Sequence, residues 1–310
     1  MIKVFIDGKE GTTGLQIYDR LSAREDISLI TLPEEKRKDT DARRECLNSA
    51  DVSFLCLPDK AAIEAVELVT NPNAKIIDAS TAHRTNPDWV YGFAELSKER
   101  REQIATCKRL ANPGCHATGF ISIVAPLIRG GIAPADYPFV AHSLTGYSGG
   151  GKKTIAQYND ENRDRQLSSP REYALGLSHK HLPEMVRECG LSQAPLFNPI
   201  ICDFYSGMCV AVPLFTNLLN KKMGVKDIRD YFAEYYDRQN LVKVASEEEI
   251  PAFLASNALT NTNGLKIFVS GNDDRIFIAS VFDNLGKGAS GAAVQNMNIM
   301  FGLDECTSLI

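Results

Sequence analysis

Short apolar runs alternate with helix-like segments along the first 110 residues. The runs are short enough and apolar enough for buried strands, and they lie at residues 3–6, 27–32, 52–57 and 75–79. Helix-like segments lie in between: Leu15, Ile17, Tyr18 and Leu21 suit one side of a helix, and further helices are expected at residues 60–69 and 97–105. Strands that alternate with helices are typical of a parallel sheet with right-handed crossovers. The first part of the chain is therefore predicted to be an α/β domain.

This alternation is lost from about residue 120. Further strand-like runs follow at residues 139–144, 210–215, 266–269 and 276–282. A helix-like segment covers residues 225–236, and the glycine-rich stretch 146–152 is predicted to be a mobile loop. The pattern predicts a second domain of the α+β kind, built on an antiparallel or mixed sheet with helices on one side.

A glycine-rich turn joins the first predicted strand to the first predicted helix. Its residues are Gly8, Gly11, Thr12, Thr13 and Gly14, in the spacing GxxGxxG. Glycines at this place let backbone N–H groups approach a pyrophosphate at the start of a helix. A plain tight turn is the alternative, but the position between strand and helix favours a dinucleotide site.

The residues after the second predicted strand bear on which dinucleotide binds. Glu34 and Glu35 lie where a carboxylate would hold a free ribose 2′-OH, whereas Lys36, Arg37 and Lys38 would accept a 2′-phosphate. The basic run favours NADP(H). A charged, solvated loop remains the alternative for any one of these residues.

Cys115 stands where an extended run passes into a helix. Pro113 and Gly114 end the run, and apolar residues with helical spacing follow. Backbone N–H groups and the positive end of a helix dipole stabilise a thiolate at this position. Cys115 is therefore a candidate nucleophile, and a buried structural cysteine is the alternative.

Further polar residues are expected at the same sheet edge and in the glycine-rich stretches. Ser80 follows the fourth strand and is assigned to the cofactor, while Arg84 is a candidate clamp for a phosphate or carboxylate. Ser148, in the glycine-rich stretch, is a candidate contact to a phosphorylated substrate. Asn284 and Gly286, near the end of the chain, are assigned to the cofactor.

Two of the five histidines, His179 and His181, are separated by a single residue. Pro183 and Glu184 follow shortly after them. If residues 177–181 are extended, both rings lie on one face. General acid/base catalysis needs one imidazole with a pKa near neutrality, oriented by a carboxylate such as Glu184. We predict His179 as the acid/base, with His181 as its rival and Glu184 as a substrate-binding or orienting residue.

Composition and charge narrow the range of partners. The net charge is −5, which gives no electrostatic reason to expect nucleic acid or an anionic membrane as a partner. The eight cysteines follow no metal or disulfide spacing, and no apolar run reaches the ~20 residues of a membrane span. The chain is therefore expected to hold no metal and to be cytoplasmic.

The motifs taken together resemble the N-acetyl-gamma-glutamyl-phosphate reductase family, in its shorter, type 2 form. They are the glycine turn at residue 8, Asp-Ala-Ser-Thr-Ala-His-Arg at 78–84, Asn-Pro-Gly-Cys at 112–115, His-Lys-His-Leu-Pro-Glu at 179–184 and the stretch 283–298. The resemblance implies a Rossmann NADP-binding domain from residues 1–115 and 288–310. It also implies a catalytic and dimerisation α+β domain of the aspartate-semialdehyde dehydrogenase type from residues 116–287, in a homo-oligomer, a dimer or tetramer.

The resemblance implies a reaction as well. Cys115 would attack the acyl phosphate of N-acetyl-L-glutamyl 5-phosphate, and NADPH would reduce the thioester to the semialdehyde in a step of arginine biosynthesis. Family members commonly carry Tyr after this cysteine, whereas this chain carries His116.

Two other functions fit parts of the pattern. An aspartate-semialdehyde dehydrogenase would share the fold and the cysteine, although the histidine pair resembles the acetylglutamyl enzyme. A dinucleotide-sensing regulator would keep the glycines but has no use for a cysteine at a helix start. An acetyl-aminoadipyl phosphate substrate also remains open.

Overall fold

A computed structural model describes the whole chain, residues 1–310. It divides into two compact units. The first comprises Met1–Gly114 and Ala289–Ile310, and the second comprises Cys115–Gly288.

The first unit is an α/β structure. Its strands are β1 (Ile2–Asp7), β2 (Ile27–Ile30), β3 (Val52–Leu55), β4 (Lys75–Asp78), β5 (Val90–Tyr91) and β6 (Arg109–Ala111). Its helices are α1 (Thr12–Ser22), α2 (Thr40–Ser49), α3 (Asp59–Glu67), α4 (Lys98–Thr106) and, from the end of the chain, α9 (Gly291–Met300).

The six strands of the first unit form one parallel sheet in the order β2-β1-β3-β4-β6-β5. Strand β3 is buried along its whole length, and three of its four residues, Val52, Phe54 and Leu55, are apolar. Helix α9 packs against α1 and α4. Asn296 on α9 donates to the carbonyl oxygen of Gly92 at 2.9 Å, so a buried amide ties this last helix to the unit.

The second unit is built on a mixed sheet. Its strands are β7 (Val140–Gly146), β8 (Arg171–Glu172), β9 (Leu196–Cys202), β10 (Met208–Phe215), β11 (Val242–Val244), β12 (Leu265–Asn272) and β13 (Arg275–Phe282). Its helices are α5 (Cys115–Arg129), α6 (Gly151–Asn159), α7 (Leu182–Cys189) and α8 (Val225–Tyr235).

Helix α5 is the central helix of the second unit. It is apolar almost throughout, and every residue from His116 to Leu127 is buried. It packs on α7 and on β10 and β13 of a sheet with the order β11-β12-β13-β10-β7-β9-β8. The burial of α5 fixes the direction of its first turn, where Cys115 and His116 stand.

Two local predictions were wrong. The stretch 146–152 is not a plain loop, because Tyr147–Gly150 form a helical turn and α6 begins at Gly151. Residues 177–181 are not extended either: the N–H of Leu182 donates to the carbonyl oxygen of His179 at 3.0 Å, and His181 has helical backbone angles. At His181 the helical backbone leads into α7, whereas Tyr147–Gly150 form a separate turn that ends at Gly151, which has φ +75°.

The apolar runs predicted as strands in both halves are strands in the structure. None of the helices combines the length and apolar character needed to cross a membrane.

Candidate active site

Cys115 is the first residue of α5 and follows directly after β6 and a three-residue turn. The first turn of α5 contains no acidic side chain, so nothing there opposes the positive end of the helix. The thiol is partly exposed, whereas five of the other seven cysteines are buried. A Cβ atom at Gly288 would lie 3.0 Å from the Cβ of Cys115, so the glycine allows a close approach to the cysteine at this point.

Three imidazole rings meet near the start of α5. The ring centres of His116 and His179 are 5.4 Å apart, those of His116 and His181 are 5.6 Å apart, and those of His179 and His181 are 4.7 Å apart. The predicted pair therefore does come together, although through a turn rather than an extended segment. Cys115 and all three histidines belong to the second unit.

His116 is a buried, neutral imidazole. Its Nδ1 is 2.6 Å from the hydroxyl oxygen of Ser143, and its Nε2 is 2.6 Å from the hydroxyl oxygen of Tyr173. Burial, with smaller contributions from the charges of His179 and Lys180, lowers the pKa of His116 to about 3. A histidine that stays neutral and has both nitrogens engaged is poorly suited to exchange protons with a substrate.

His179 and His181 have different surroundings. His181 is buried, and its Nε2 lies 4.0 Å from a carboxylate oxygen of Glu184, which is also buried. His179 is partly exposed, and its Nδ1 accepts the backbone N–H of His181 at 3.2 Å. This bond places the proton of neutral His179 on Nε2.

The glycine turn of the first unit fits a dinucleotide. Gly8 has φ +86°, and a Cβ there would lie 2.4 Å from the carbonyl oxygen of Cys56. A Cβ at Gly14 would lie 2.5 Å from the carbonyl oxygen of Gly8. Gly11, the residue before α1, offers no side chain to cap the helix. The backbone is therefore open for an anion at the start of α1, the place where a pyrophosphate binds. Thr12 and Thr13 are the first two residues of α1.

A cavity of about 390 Å³ adjoins this turn. Gly8, Gly11, Glu34, Arg37 and Lys38 are among the residues that line it. Arg37 and Glu34 form an exposed ion pair at 3.1 Å. The acidic Glu34 and the basic Arg37 and Lys38 therefore reach the cavity, whereas Glu35 and Lys36 are not among its lining residues.

Several predicted ligand residues already have partners within the protein. The hydroxyl of Ser80 donates to Asp78 at 2.7 Å, and Arg84 donates to the carbonyl oxygens of Asn112 and Ala79 at 3.0 and 3.1 Å. The side chain of buried Asn284 donates to the hydroxyl oxygen of Ser148 at 3.0 Å.

Gly286 also lies at a close approach, because a Cβ there would lie 2.2 Å from the carbonyl oxygen of Thr262. The ligand roles of Ser80, Arg84, Ser148, Asn284 and Gly286 stay predictions.

Sequence reasoning missed Tyr173 and Ser143. Tyr173 lies just after β8 and Ser143 lies in β7, and neither belongs to a motif. Burial raises the pKa of Tyr173 well above its usual value, and the negative charge of a Cys115 thiolate adds a smaller increase. No local signal reveals this tyrosine, because its partner His116 is 57 residues away along the chain.

Cys115 is expected to react with iodoacetamide faster than any other thiol. Cys56 and Cys107 are the other partly exposed cysteines, and burial raises the pKa of Cys56 to about 12 and that of Cys107 to about 11. Neither forms an appreciable amount of the reactive thiolate near neutral pH. Peptide mapping after brief labelling measures the order, and earlier labelling of Cys56 or Cys107 would contradict it.

Two family models match the chain. "Semialdehyde dehydrogenase, NAD binding domain" covers residues 3–105, and "Semialdehyde dehydrogenase, dimerisation domain" covers residues 115–284.

Curated relatives match over nearly the full length. N-acetyl-gamma-glutamyl-phosphate reductase 2 of a Nostoc species is 46% identical over 315 residues, which cover 98% of this chain and 98% of the relative. N-acetyl-gamma-glutamyl-phosphate reductase of Brucella ovis is 46% identical over 306 residues, which cover 97% of this chain and 99% of the relative.

Solved structures share the fold at low identity. Aspartate semialdehyde dehydrogenase from Francisella tularensis superposes with a TM-score of 0.72 at 15% identity, over 97% of this chain and 100% of that one. Aspartate semialdehyde dehydrogenase II of Vibrio cholerae superposes with a TM-score of 0.70 at 14% identity, over 97% of this chain and 99% of that one. The predicted fold class, a parallel-sheet dinucleotide domain with an α+β domain of this type, is confirmed.

Proposed function

We propose a reaction from the premise that this chain belongs to the N-acetyl-gamma-glutamyl-phosphate reductase family of the semialdehyde dehydrogenases. The resemblance drawn from the sequence motifs is confirmed by these relatives. The protein is an oxidoreductase that converts N-acetyl-L-glutamyl 5-phosphate to N-acetyl-L-glutamate 5-semialdehyde and phosphate with NADPH, a step of arginine biosynthesis.

Cys115 is the nucleophile of this proposal. Its thiolate attacks the carbonyl carbon of the acyl phosphate, the bond from that carbon to the phosphate oxygen breaks, and inorganic phosphate leaves. The acyl group is then held on the cysteine as a thioester. Support comes from the position of Cys115 at the start of α5, where the helix stabilises the negative sulfur.

The first unit carries the cofactor in this proposal. Gly8, Gly11 and the first turn of α1 hold the pyrophosphate, and Arg37 and Lys38 accept the 2′-phosphate. When bound, NADPH supplies the hydride that reduces the thioester.

His179 is proposed as the general acid/base. Its Nε2 carries a proton when the ring is neutral, and the ring is partly exposed, so it can exchange that proton with water. It donates the proton to the oxygen of the thiohemiacetal and takes it back as the carbon–sulfur bond breaks and the semialdehyde leaves. Buried His181, beside Glu184, is its rival and is assigned to substrate binding.

One observation carries the proposal: a partly exposed cysteine begins a buried apolar helix in the same unit as a cluster of three imidazoles. That combination supplies a nucleophile and an acid/base, which thioester chemistry requires and a sensing domain does not.

The reverse reaction tests the function. The purified protein is assayed for phosphate-dependent reduction of NADP⁺ with N-acetylglutamate semialdehyde, aspartate semialdehyde and the acetyl-aminoadipate semialdehyde as alternatives. We expect the acetylglutamyl substrate to be used with the highest kcat/KM. Activity with aspartate semialdehyde only would identify the enzyme as that dehydrogenase, and no activity with any of them would favour the sensing role.

We expect the enzyme to prefer NADP⁺ to NAD⁺. Arg37→Gln removes a cation that lines the cavity and should lower kcat/KM with NADP⁺ by roughly 10- to 100-fold, the loss expected for one bond to a charged phosphate, without lowering it for NAD⁺. Lys36→Gln is the matched control, because Lys36 is not among the cavity residues and both cofactors should be used as before. Equal use of the two cofactors by the wild type would show that Glu34 or Glu35 binds a free 2′-OH of the cofactor's ribose.

The second unit is a dimerisation domain of this family, and we extend the proposal to a homodimer or tetramer. One face of its sheet carries large exposed apolar side chains, among them Leu196, Phe215 and Phe277. Exposed apolar patches of this kind mark protein interfaces. Light scattering in solution tests the proposal, and the mass of a single chain would contradict it.

We also propose the cytoplasm as the location and no nucleic acid among the partners. All eight cysteines are free, as in proteins of a reducing compartment, and the net charge is −5. Cell fractionation and a filter-binding assay test these two statements.

A further inference from the structure

We propose that Arg171 binds the carboxylate of the substrate's acetylglutamyl group and that Tyr158 holds its guanidinium in position. The inference rests on the proposed function, because it names the residue that recognises the acid end of that substrate. It adds to the site an arginine that lies in no motif of the sequence.

The register of two neighbouring strands places Arg171. It lies opposite Ile201 of β9, and residues directly opposite on paired strands share one face of a sheet. Phe197 and Ile201 are an even number of positions apart in β9, so they share that face as well. The ring centre of Phe197 lies 5.3 Å from those of both His116 and His179. Arg171 therefore stands on the face of the sheet that meets the histidine cluster.

Tyr173 leads to the same face by a separate route. Its N–H donates to the carbonyl oxygen of Pro199 in β9 at 3.1 Å, so the pairing of β8 continues to this residue. Side chains two residues apart on an extended chain point the same way, and the Tyr173 hydroxyl lies 2.6 Å from Nε2 of His116. Two residues of a strand span about 7 Å. Arg171 is thus one such step from a residue that contacts the cluster.

The guanidinium of Arg171 has no anionic partner in the protein. The residue is partly buried, and its side-chain hydrogen bond runs from Nη2 to the hydroxyl oxygen of Tyr158 at 2.9 Å. Its Nε is buried and has no acceptor. Arg163 and Arg229 are also partly buried, and each has a carboxylate oxygen at 2.7 Å. Burial of an unpaired cation costs free energy, which an anion that binds beside it offsets.

Tyr158 fixes the place of this cation. It is 3% exposed, and its ring stacks on that of Tyr147 with 4.4 Å between the ring centres. The central carbon of the Arg171 guanidinium lies 5.6 Å from the centre of the Tyr158 ring, in addition to the hydrogen bond. The guanidinium is therefore held before the substrate arrives, which lowers the entropic cost of binding an anion.

The position of Arg171 favours the carboxylate over the phosphate of the substrate. The phosphate is bonded to the carbon that Cys115 attacks, so its ligands must lie beside the cysteine. The contacts of the Arg171 guanidinium are with Tyr158 and not with the histidines, and its backbone is a strand step away from the cluster. The carboxylate stands at the other end of the glutamyl chain. A guanidinium also matches a carboxylate, since the two planar groups can form parallel hydrogen bonds.

The reverse reaction tests this assignment, because phosphate and the semialdehyde are separate substrates in that direction. Arg171→Gln should raise KM for N-acetylglutamate semialdehyde by roughly 10- to 100-fold, the loss expected for a hydrogen bond to a charged group. KM for phosphate and kcat should stay close to the wild-type values. Arg171→Lys keeps the charge without the planar fork and should fall between the two. A larger rise in KM for phosphate than for the semialdehyde, or no rise in either, would overturn the assignment.

A changed substrate gives a second test that requires no variant to fold. The analogue carries a carboxamide in place of the carboxylate of N-acetylglutamate semialdehyde. The wild type should use it with a kcat/KM that is lower by roughly 10- to 100-fold, whereas Arg171→Gln should use the two compounds about equally. Equal use of the two compounds by the wild type would overturn the inference.

Arg163→Gln is the matched control. Arg163 also contacts Tyr158, through a bond of 3.0 Å to its carbonyl oxygen, but its charge is paired with Asp203. Both KM values should therefore stay as in the wild type. An equal rise in this control would overturn the inference, because it would show a general loosening around Tyr158.

Tyr158→Phe tests the positioning role. The variant keeps the ring stacked on Tyr147 but loses the hydroxyl that accepts from Nη2 of Arg171. KM for the semialdehyde should rise in the same direction as in Arg171→Gln and by less, and a wild-type KM would overturn this role. Inactivity of the wild type with every semialdehyde would contradict the proposed function, whereas an active wild type that uses acid and amide alike contradicts only the assignment of Arg171.

Discussion

Cys115→Ser is expected to fold like the wild type and to lose kcat by roughly 10³-fold or more. A serine hydroxyl is almost un-ionised near neutral pH, and the start of α5 stabilises an anion that serine does not form. His116, the adjacent imidazole, is neutral and bonded to Ser143 and Tyr173, so it is not available as a base for the new hydroxyl. Steady-state rates in both directions measure the loss, and thermal melting checks the fold.

Cys107→Ser is the matched control for that variant. Its thiol is also partly exposed, but burial raises the pKa of Cys107 to about 11, and its sulfur donates to the carbonyl oxygen of Ile104 at 3.4 Å. A hydroxyl can make the same bond, so turnover should not change. If Cys115→Ser keeps more than about a tenth of the wild-type kcat, the cysteine is not the nucleophile.

His179→Asn is expected to lower kcat by ~10²–10⁴-fold and to remove one limb of the pH–rate profile. Asparagine keeps a polar group close to the position of Nδ1, where the N–H of His181 donates, but it has no titratable group for the substrate. Labelling of Cys115 and formation of the thioester should continue, because both steps precede the proton transfer.

His181→Asn is the comparison. His181 is buried beside Glu184, and loss of a bond to substrate raises KM more than it lowers kcat. If His181→Asn instead loses kcat and a limb of the pH profile while His179→Asn does not, the two assignments must be exchanged. Wild-type kcat and an unchanged pH profile in both variants would remove the pair from the proton transfer.

Strands β1 to β4 could be predicted from sequence because parallel strands that are buried on both faces form short, mostly apolar runs, whereas the two-residue strand β5 is too short to give a pattern. Helix α2 could not. Only Cys46 and Leu47 of its ten residues are buried, and its start depends on Asp39, whose side chain accepts the N–H groups of Asp41 and Ala42. Strand β9 was missed for a different reason, since Pro199 within it weakens a strand pattern.

The candidate site divides in the same way into local and distant features. Cys115 was recognisable because a Pro-Gly turn and an apolar helix are signals in neighbouring residues. The contacts of His116 with Ser143 and Tyr173 could not be recognised, because these residues are 27 and 57 positions away along the chain and meet His116 only in the folded unit. The turn at His179–His181 was hidden as well, since the following helix α7 determines the backbone before it.

The central claim, a thioester on Cys115, is tested most directly by the reverse reaction without phosphate. The enzyme is mixed with N-acetylglutamate semialdehyde and NADP⁺, and NADPH is followed by absorbance while intact protein and peptides are analysed by mass spectrometry. Without phosphate the acyl group has no acceptor other than slow hydrolysis. We predict a burst of one NADPH per active site, one N-acetylglutamyl group on Cys115, and its release when phosphate is added. NADPH formation with no acyl group on Cys115, or an acyl group on another residue, would contradict the account.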